Sequence, residues 1–366
     1  MGSGPRQQGR LSLKATSRFA FIVGAPRCGT TTLASTLKQN PQVCFSSVKE
    51  PHYFSRHELG ELDEAALRRL IEEDYLARFF DHCGEEARHC GSAARIAAEG
   101  SVTYLYTPDQ MAPILRLWPD AKFIIAVRDP LQMLPSLHAR LLVTGDETIR
   151  SFPKAWAAIA ERAQGRSIPR TTMDPRWLRY DEAGSLGTHV QRFFDAVGRE
   201  RCHVVLFDDL SRDPQGTYAR MCKFLGIEPW AGTDFAARRA NMGFRVGWLQ
   251  RLLKRPPKAM HTVLAGHQFR QREKKLGSRE SPAVAALLKF RKHLLRWNKV
   301  SATRAPLDPA LRAIIIERMR DEVILLSRII DRDLSHWLGG VPEADPRRKQ
   351  AKRAYSGRSK EASPKL

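Results

Sequence analysis

FAFIVGAPRCGTTT, from Phe19 to Thr32, is the stretch of sequence that decides the fold. Its apolar run Phe19–Val23 predicts a buried strand that ends at Gly24. A short turn follows, and the three threonines at 30–32 open a segment whose pattern predicts a helix to Lys38. A strand, a glycine-containing turn and a helix in this order are typical of a phosphate-binding loop.

The turn contains the groups that an anion site needs. Two glycines let the backbone turn tightly and bring its N–H groups close to an anion, and the start of the helix adds unpaired N–H groups and a positive dipole end. The residues predicted to bind the anion are Gly24, Arg27, Cys28, Gly29, Thr30, Thr31 and Thr32. The alternative is a strand, turn and helix without a ligand.

The position of the cation distinguishes this loop from that of nucleoside triphosphatases. Their pattern, GxxxxGK[ST], has a lysine after the second glycine, where this chain has Thr30 and carries its cation earlier, at Arg27. The pattern GxPRxGTTxL resembles the 5′-phosphosulfate loop of sulfotransferases that use 3′-phosphoadenosine 5′-phosphosulfate (PAPS). The resemblance implies that the loop holds the phosphosulfate and that Arg27 stabilises charge on the group being transferred.

A second anion site is predicted after the apolar strand Lys122–Val127. Arg128 follows this strand, and Asp129 and Pro130 are favourable residues for starting a helix that runs to about Val143. Arg128 and Ser136 can hold a phosphate with a forked cation and a hydroxyl. The pair resembles the 3′-phosphate site of the same sulfotransferases, although Met133 and Pro135 replace an arginine and an aromatic residue that many relatives carry. The alternative is a surface ion pair of Arg128.

A candidate catalytic base lies in the stretch KEPHYF, residues 49–54. This stretch resembles a segment of heparan-type and bacterial sulfotransferases whose glutamate is the base. The resemblance implies that Glu50 takes the proton of the acceptor, and we expect burial beside Tyr53 and Phe54 to raise its pKa. His52 is the competing base, and the alternative role for Glu50 is a loop ion pair with Lys49.

Further stretches that resemble the family extend the similarity over about residues 18–338: Glu99–Tyr104, Leu206–Leu210 and Asp331–Trp337. Strands predicted at Val43–Phe45, Lys122–Val127 and His203–Phe207 alternate with helices, which favours the α/β class with a parallel sheet flanked by helices. We predict one domain over residues 18–340, whose part from 236 onward is basic and mostly helical. Residues 1–17 and 341–366 are predicted to be a disordered arm and a disordered basic tail.

The net charge of +22 is unevenly distributed along the 366 residues. Residues 238–304 contain 18 Lys or Arg and two acidic residues, and residues 346–366 contain eight against one. This distribution indicates an acidic partner or substrate, or a solvated basic surface. Within the basic part, the apolar residues Trp248, Leu249, Leu252 and Leu253 favour packing on the core, with contact to an anionic membrane as the alternative.

Six scattered cysteines show no disulfide framework and indicate a reducing compartment. His82, Cys83, His89 and Cys90 do not match common zinc spacings, so we predict no metal. The sequence shows neither a secretory leader nor a run of about 18–20 apolar residues. We expect a cytoplasmic protein with a possible peripheral contact at the inner membrane face.

Together these features predict a PAPS-dependent sulfotransferase that acts on a hydroxyl or amine of an acceptor, with an anionic glycan or glycolipid favoured. A P-loop kinase or ATPase is the enzyme alternative, because Val204–Asp208 has the pattern of a Walker B strand. A protein that binds nucleic acid or an anionic membrane through its basic segments is the other alternative, although we expect no nucleic acid partner. The sequence indicates neither the acceptor nor the oligomeric state.

Overall fold

The computed structural model describes residues 18–83, 95–235, 242–254, 282–301 and 306–339. The predicted arm 1–17, the predicted tail 341–366 and about half of the basic stretch 238–304 lie outside these ranges. Within the described ranges, no helix combines the length and the apolar character that crossing a bilayer requires.

The centre of the fold is a sheet of five parallel strands. These strands are β1 (Phe19–Gly24), β2 (Val43–Phe45), β3 (Ile96–Gly100), β4 (Lys122–Val127) and β5 (Cys202–Leu206). They lie in the order β2-β3-β1-β4-β5, and every neighbouring pair is parallel. The α/β class and the parallel sheet are therefore confirmed. Because all carboxyl ends meet at one edge, the segments after β1, β2, β3 and β4 come together there.

The helices pack on the sheet and extend the fold beyond it. In chain order they are α1 (Thr30–Leu37), α2 (Glu64–Leu70), α3 (Ala77–Phe79), α4 (Ala112–Leu117), α5 (Pro130–Thr144), α6 (Phe152–Ala157), α7 (Ile159–Ala163), α8 (Tyr180–Gly184), α9 (Leu186–Val197), α10 (Phe207–Arg212), α11 (Pro214–Leu225), α12 (Gly247–Lys254), α13 (Pro282–Asn298) and α14 (Pro309–Ile329). A π-helical turn, Ile71–Leu76, joins α2 to α3. A short antiparallel pair, β6 (Met242–Phe244) and β7 (Lys299–Ser301), links the basic segments.

Several helix boundaries follow from local capping. The Asp129 carboxylate accepts a hydrogen bond from the Leu131 amide and starts α5, which contains Pro135 and ends at Thr144. Asp308 caps α14 in the same way, and the side chains of Leu311, Ile315, Met319, Val323 and Leu326 form the buried face of that helix. The Asp63 carboxylate accepts a hydrogen bond from the Ala66 amide and caps α2, and α6 carries Pro153 in its first turn.

A cluster of aromatic side chains packs the segment that follows β2 against the sheet. Phe19 of β1 stacks on Trp118 with a centroid distance of 3.9 Å. Phe54 lies with its ring edge toward Phe21, Tyr75 and Trp118. Edge-to-face pairs of this kind contribute about 0.5–1.5 kcal/mol each beyond the area that they bury. The cluster therefore holds the backbone that carries Glu50 and His52 close to the carboxyl edge of the sheet.

The cysteine spacing gave no indication of a cross-link, yet Cys44 of β2 and Cys83 form a disulfide across 39 positions. Their Cα atoms are 5.7 Å apart. The expectation of unpaired thiols is therefore wrong for this pair, because two residues distant in sequence meet where the end of α3 packs beside β2. The other described cysteines, Cys28, Cys202 and Cys222, are free and buried.

Candidate active site

The loop between β1 and α1 has the geometry of an anion site. Gly29 precedes the helix with φ 92°, and among the described residues no side chain caps the helix N-terminus. A Cβ on Gly29 would lie 2.7 Å from the Leu210 side chain, so both the left-handed backbone and the close packing require glycine here. The first N–H groups of a helix have no partner within it, so this N-terminus can donate to an anion.

Arg27 connects this loop to the second predicted anion site. Its Nε donates a hydrogen bond to Ser136 Oγ at 2.9 Å. The guanidinium of Arg128 donates to the backbone carbonyl of Arg27 at 3.2 Å. The structure therefore brings Arg27, Arg128 and Ser136 together, but the Ser136 hydroxyl contacts Arg27, and no Arg128–Ser136 hydrogen bond is found in the described chain.

Arg128 is held by neighbours that sequence reasoning missed. Its guanidinium lies 3.8 Å from the centroid of the Phe207 ring and donates to Gln132 Oε1 at 3.0 Å. Burial lowers the pKa of Arg128 below its ordinary value. Its buried Nε has no hydrogen-bond partner among the described residues, and an unpaired buried donor is costly unless a ligand satisfies it. No ion pair of Arg128 with Asp129 or another acid is found among the described residues, where Asp129 caps α5.

Glu50 and His52 lie beside each other after β2. The Lys49 ammonium contacts Glu50 Oε1, and His52 Nε2 lies 4.0 Å from Glu50 Oε2. Burial pushes the pKa of Glu50 upward, but the charges of Lys49, His52 and Arg140 outweigh it and hold the pKa below its ordinary value. The expected raised pKa is therefore wrong, because burial is the largest single influence but the nearby cationic groups together outweigh it. A base that is ionised at neutral pH is ready to accept a proton.

A buried carboxyl supports the His52 backbone. The His52 amide donates to Ser101 Oγ at 2.9 Å, and the Ser101 hydroxyl donates to Glu99 Oε2 at 3.2 Å. The His52 ring bonds through Nδ1 to Thr103 Oγ1 at 2.9 Å. Glu99 is fully buried, and burial raises its pKa to about 7. The stretch 99–104 had been noted for its resemblance to the family, but its supporting role was not predicted.

The three predicted catalytic residues share an uncommon backbone conformation. Arg27, Glu50 and His52 have φ values of 67°, 64° and 55°, and they are three of the five non-glycine residues with positive φ in the described ranges. Such residues cost about 1–3 kcal/mol each and cluster at functional sites. The packing around them therefore maintains a backbone that local preferences alone would not choose.

The arrangement fits a ligand with two separated anionic groups. One fits the uncapped N-terminus of α1 with Arg27, and the other fits the unpaired Nε of Arg128. The proximity of Glu50 and His52 supplies a carboxylate and an imidazole that can accept a proton. Of the four residues considered for a metal, His82 and Cys83 lie together with Cys44, whereas His89 and Cys90 lie outside the described residues.

Comparison with known proteins supplies independent information. A family model described as "Sulfotransferase family" matches residues 20–232. Carbohydrate sulfotransferase 15 from Mus musculus is 32% identical over 145 residues, covering 32% of this chain and 26% of that protein. The match thus covers about a quarter of the length of the relatives named carbohydrate sulfotransferase 15. Protein-tyrosine sulfotransferase from Drosophila melanogaster is 24% identical over 224 residues, covering 57% of this chain and 38% of that protein.

A solved structure supports the fold. A sulfotransferase from Alicyclobacillus acidocaldarius superposes with a TM-score of 0.56 at 24% identity, covering 87% of this chain and 97% of that one. The match covers a larger share of this chain than the family model does. The overall architecture is therefore shared, at an identity where the likeness indicates fold alone.

Proposed function

The chain belongs to the sulfotransferase family, and from this premise we propose that it transfers a sulfuryl group from PAPS to a hydroxyl or amine of an acceptor. The observation that supports this most is the convergence of Arg27, Arg128 and Ser136 through direct contacts at the carboxyl edge of the sheet. These residues match the two ends of PAPS, which carries a 5′-phosphosulfate and a 3′-phosphate.

In the proposed reaction the helix N-terminus of α1 and the Arg27 guanidinium bind the 5′-phosphosulfate. Arg128 binds the 3′-phosphate through its unpaired Nε, with Ser136 as a second donor. Glu50 takes the proton of the acceptor as the acceptor atom bonds to sulfur. The bond between sulfur and the bridging oxygen breaks, and adenosine 3′,5′-bisphosphate leaves. Arg27 stabilises the charge that develops on that oxygen, so positioning and fixed charge supply the catalysis without a metal.

We propose an anionic glycan or glycolipid as the acceptor. The similarity to a protein named carbohydrate sulfotransferase 15 supports a glycan. The net charge of +22 supports an anionic one, because a basic surface attracts acidic substrates. Acceptor KM should rise steeply with salt in that case, since about 0.15 M salt screens exposed charges beyond about 8 Å. A preferred neutral acceptor whose KM does not change with salt would contradict the glycan proposal.

The decisive experiment compares ligands by thermal shift and then measures transfer. Adenosine 3′,5′-bisphosphate should raise the melting temperature in the absence of magnesium, because a ligand that binds only the folded state stabilises it. Labelled PAPS should then transfer sulfate to members of a panel of sulfated and unsulfated glycans. Stabilisation by magnesium–ATP, with no effect of the bisphosphate, would instead support the kinase or ATPase alternative.

A peripheral membrane contact is a second proposal, supported by exposed aromatic residues in the basic helices. Trp248 of α12 is 65% exposed, and Phe290 and Trp297 of α13 are 60% and 51% exposed. Leu253 is buried whereas Leu252 is 41% exposed, so the apolar stripe is only partly buried. Aromatic residues beside Lys and Arg suit an anionic lipid surface, such as the inner leaflet of a cytoplasmic location.

The membrane proposal is tested by sedimentation with vesicles. The chain should bind phosphatidylglycerol vesicles more strongly than phosphatidylcholine vesicles, and Trp248→Ala should weaken this binding. Trp156→Ala in α6 is the matched control, because that tryptophan packs against the core. Equal binding by the Trp248 variant and the wild type would contradict the proposal.

A further inference from the structure

A cluster of potential metal ligands lies at the β2 edge of the sheet. Cys44 is in β2, while His82 and Cys83 follow α3, and one ligand atom from each of the three lies within 4.8 Å of the others. The two cysteines are 2% and 6% exposed, and His82 is partly exposed. Ligands from two distant parts of the chain therefore meet where one side remains open to solvent.

His82 lies beside the two cysteines and is held by a hydrogen bond to the backbone of β2. Its Nε2 lies 3.9 Å from Cys83 Sγ and 3.1 Å from the Phe45 carbonyl oxygen. Nε2 thus faces both groups, and binding of a metal through this nitrogen would replace its hydrogen bond to the Phe45 carbonyl. A disulfide makes no use of a neighbouring imidazole, whereas a metal ion would use all three side chains.

We propose that Cys44 and Cys83, as the reduced dithiol, bind one Zn²⁺-like divalent cation together with His82. Two thiolates and an imidazole are a preferred donor set for zinc, and a fourth position is left for water or another ligand. Each thiol releases its proton when the ion binds, so binding is favoured as pH rises. The disulfide and the metal site exclude each other, because a sulfur bonded to its partner is no longer a thiolate.

The position of the cluster gives the ion a structural role. β2 ends at Phe45, and the Ser47 amide donates to the Phe79 carbonyl at 2.8 Å, which joins the segment leading to Glu50 to the end of α3. An ion held by Cys44, His82 and Cys83 would strengthen the same junction. This role is independent of sulfuryl transfer, so it can be tested without any substrate.

The test is metal titration of the full chain, reduced, stripped of metal with a chelator and kept free of oxygen. Cobalt should bind with one equivalent and produce thiolate-to-cobalt absorption, and Zn²⁺ should displace it. Cys44→Ser and Cys83→Ser should weaken binding at least about tenfold, since even residues that only support a ligand cost about 10–100-fold. Cys222→Ala, which removes a free buried cysteine, should bind like the wild type.

Two results would overturn the proposal. One is a reduced wild-type chain without thiolate-to-cobalt absorption, and the other is unchanged affinity in Cys44→Ser. His82→Gln keeps both cysteines and changes a partly exposed residue, so it tests the site even where a cysteine variant fails to fold. It should weaken zinc binding while leaving the Cys44–Cys83 disulfide able to form under oxidising conditions. An affinity equal to that of the wild type would exclude His82 as a ligand.

Discussion

The guanidinium Nε of Arg27 donates a hydrogen bond to Ser136 Oγ at 2.9 Å, across 109 positions of sequence. The contact joins the loop after β1 to α5, the helix that follows β4. Arg128 adds a second link by donating to the Arg27 carbonyl. The two predicted anion sites are therefore one connected site. We expect a substitution in one of them to affect the function of the other.

Arg27→Ala should lower kcat more than it weakens binding of adenosine 3′,5′-bisphosphate. Its charge is most valuable as the sulfur–oxygen bond breaks, so its loss mainly affects the transition state. Ser136→Ala should lower kcat in part through Arg27, so the double variant should lose less than the product of the single effects. Steady-state kinetics of the four proteins measure this. A raised KM at unchanged kcat in Arg27→Ala would contradict the assigned role.

Arg128→Ala should weaken binding of adenosine 3′,5′-bisphosphate by about 1.5–3 kcal/mol, which is the contribution of a hydrogen bond to a charged group. Affinity for adenosine 5′-monophosphate should barely change, because that nucleotide lacks the 3′-phosphate. Calorimetric titration of both nucleotides provides the comparison. Arg176→Ala is a suitable control, since Arg176 forms an ion pair with Asp174. Equal weakening of the two nucleotides would assign Arg128 another role.

Glu50→Gln should reduce kcat by roughly 10²–10⁴-fold, because it preserves size and hydrogen bonding but removes the basic group. His52→Ala should reduce kcat much less, although it removes the hydrogen bond to Thr103. Single-turnover rates at saturating PAPS separate the chemical step from binding. If His52→Ala is the more damaging change, the two residues exchange roles.

Lys49→Ala should move the acidic limb of the kcat/KM profile to higher pH. The pKa of Glu50 is held below its ordinary value of 4.5, with Lys49 the largest favourable charge, so the wild-type limb should lie below that pH. Removing the ammonium leaves burial, which raises the pKa, less opposed. Rates measured from acidic to neutral pH test the shift. An unmoved limb would show that another group controls the profile.

Glu99→Gln should change how stability depends on pH. The pKa of Glu99 is raised to about 7 from 4.5, so the folded state favours the protonated carboxyl. Its contribution to stability is fully present below pH 4.5 and is lost as pH rises through 7. Relative to Glu99→Gln, the wild type should therefore lose melting temperature between these values. Parallel curves for the two proteins across this range would contradict the raised pKa.

Much of the fold is determined by local sequence. The apolar runs of β1 and β4, the glycines of the loop and the caps Asp129 and Asp308 all act within a few residues, so they could be recognised from the sequence alone. β3 was missed because its five residues, IAAEG, contain two alanines, a glutamate and a glycine instead of a run of large apolar side chains. Its position between β2 and β1 buries it completely, which only the assembled sheet determines.

The site residues were predicted one by one from the sequence. They lie together in one site because the parallel strands that precede them end at the same edge of the sheet. Which groups contact each other was decided by the tertiary structure. The sequence by itself determined a glycine-containing loop between a strand and a helix, a parallel α/β sheet and the residue types available for chemistry. Only tertiary structure decided that Ser136 meets Arg27, that Lys49, His52 and Arg140 together outweigh burial at Glu50, and that Cys44 meets Cys83 and His82. Hydrogen bonds and charge effects depend on distances of a few ångströms, and packing sets those distances between residues that are far apart in the chain.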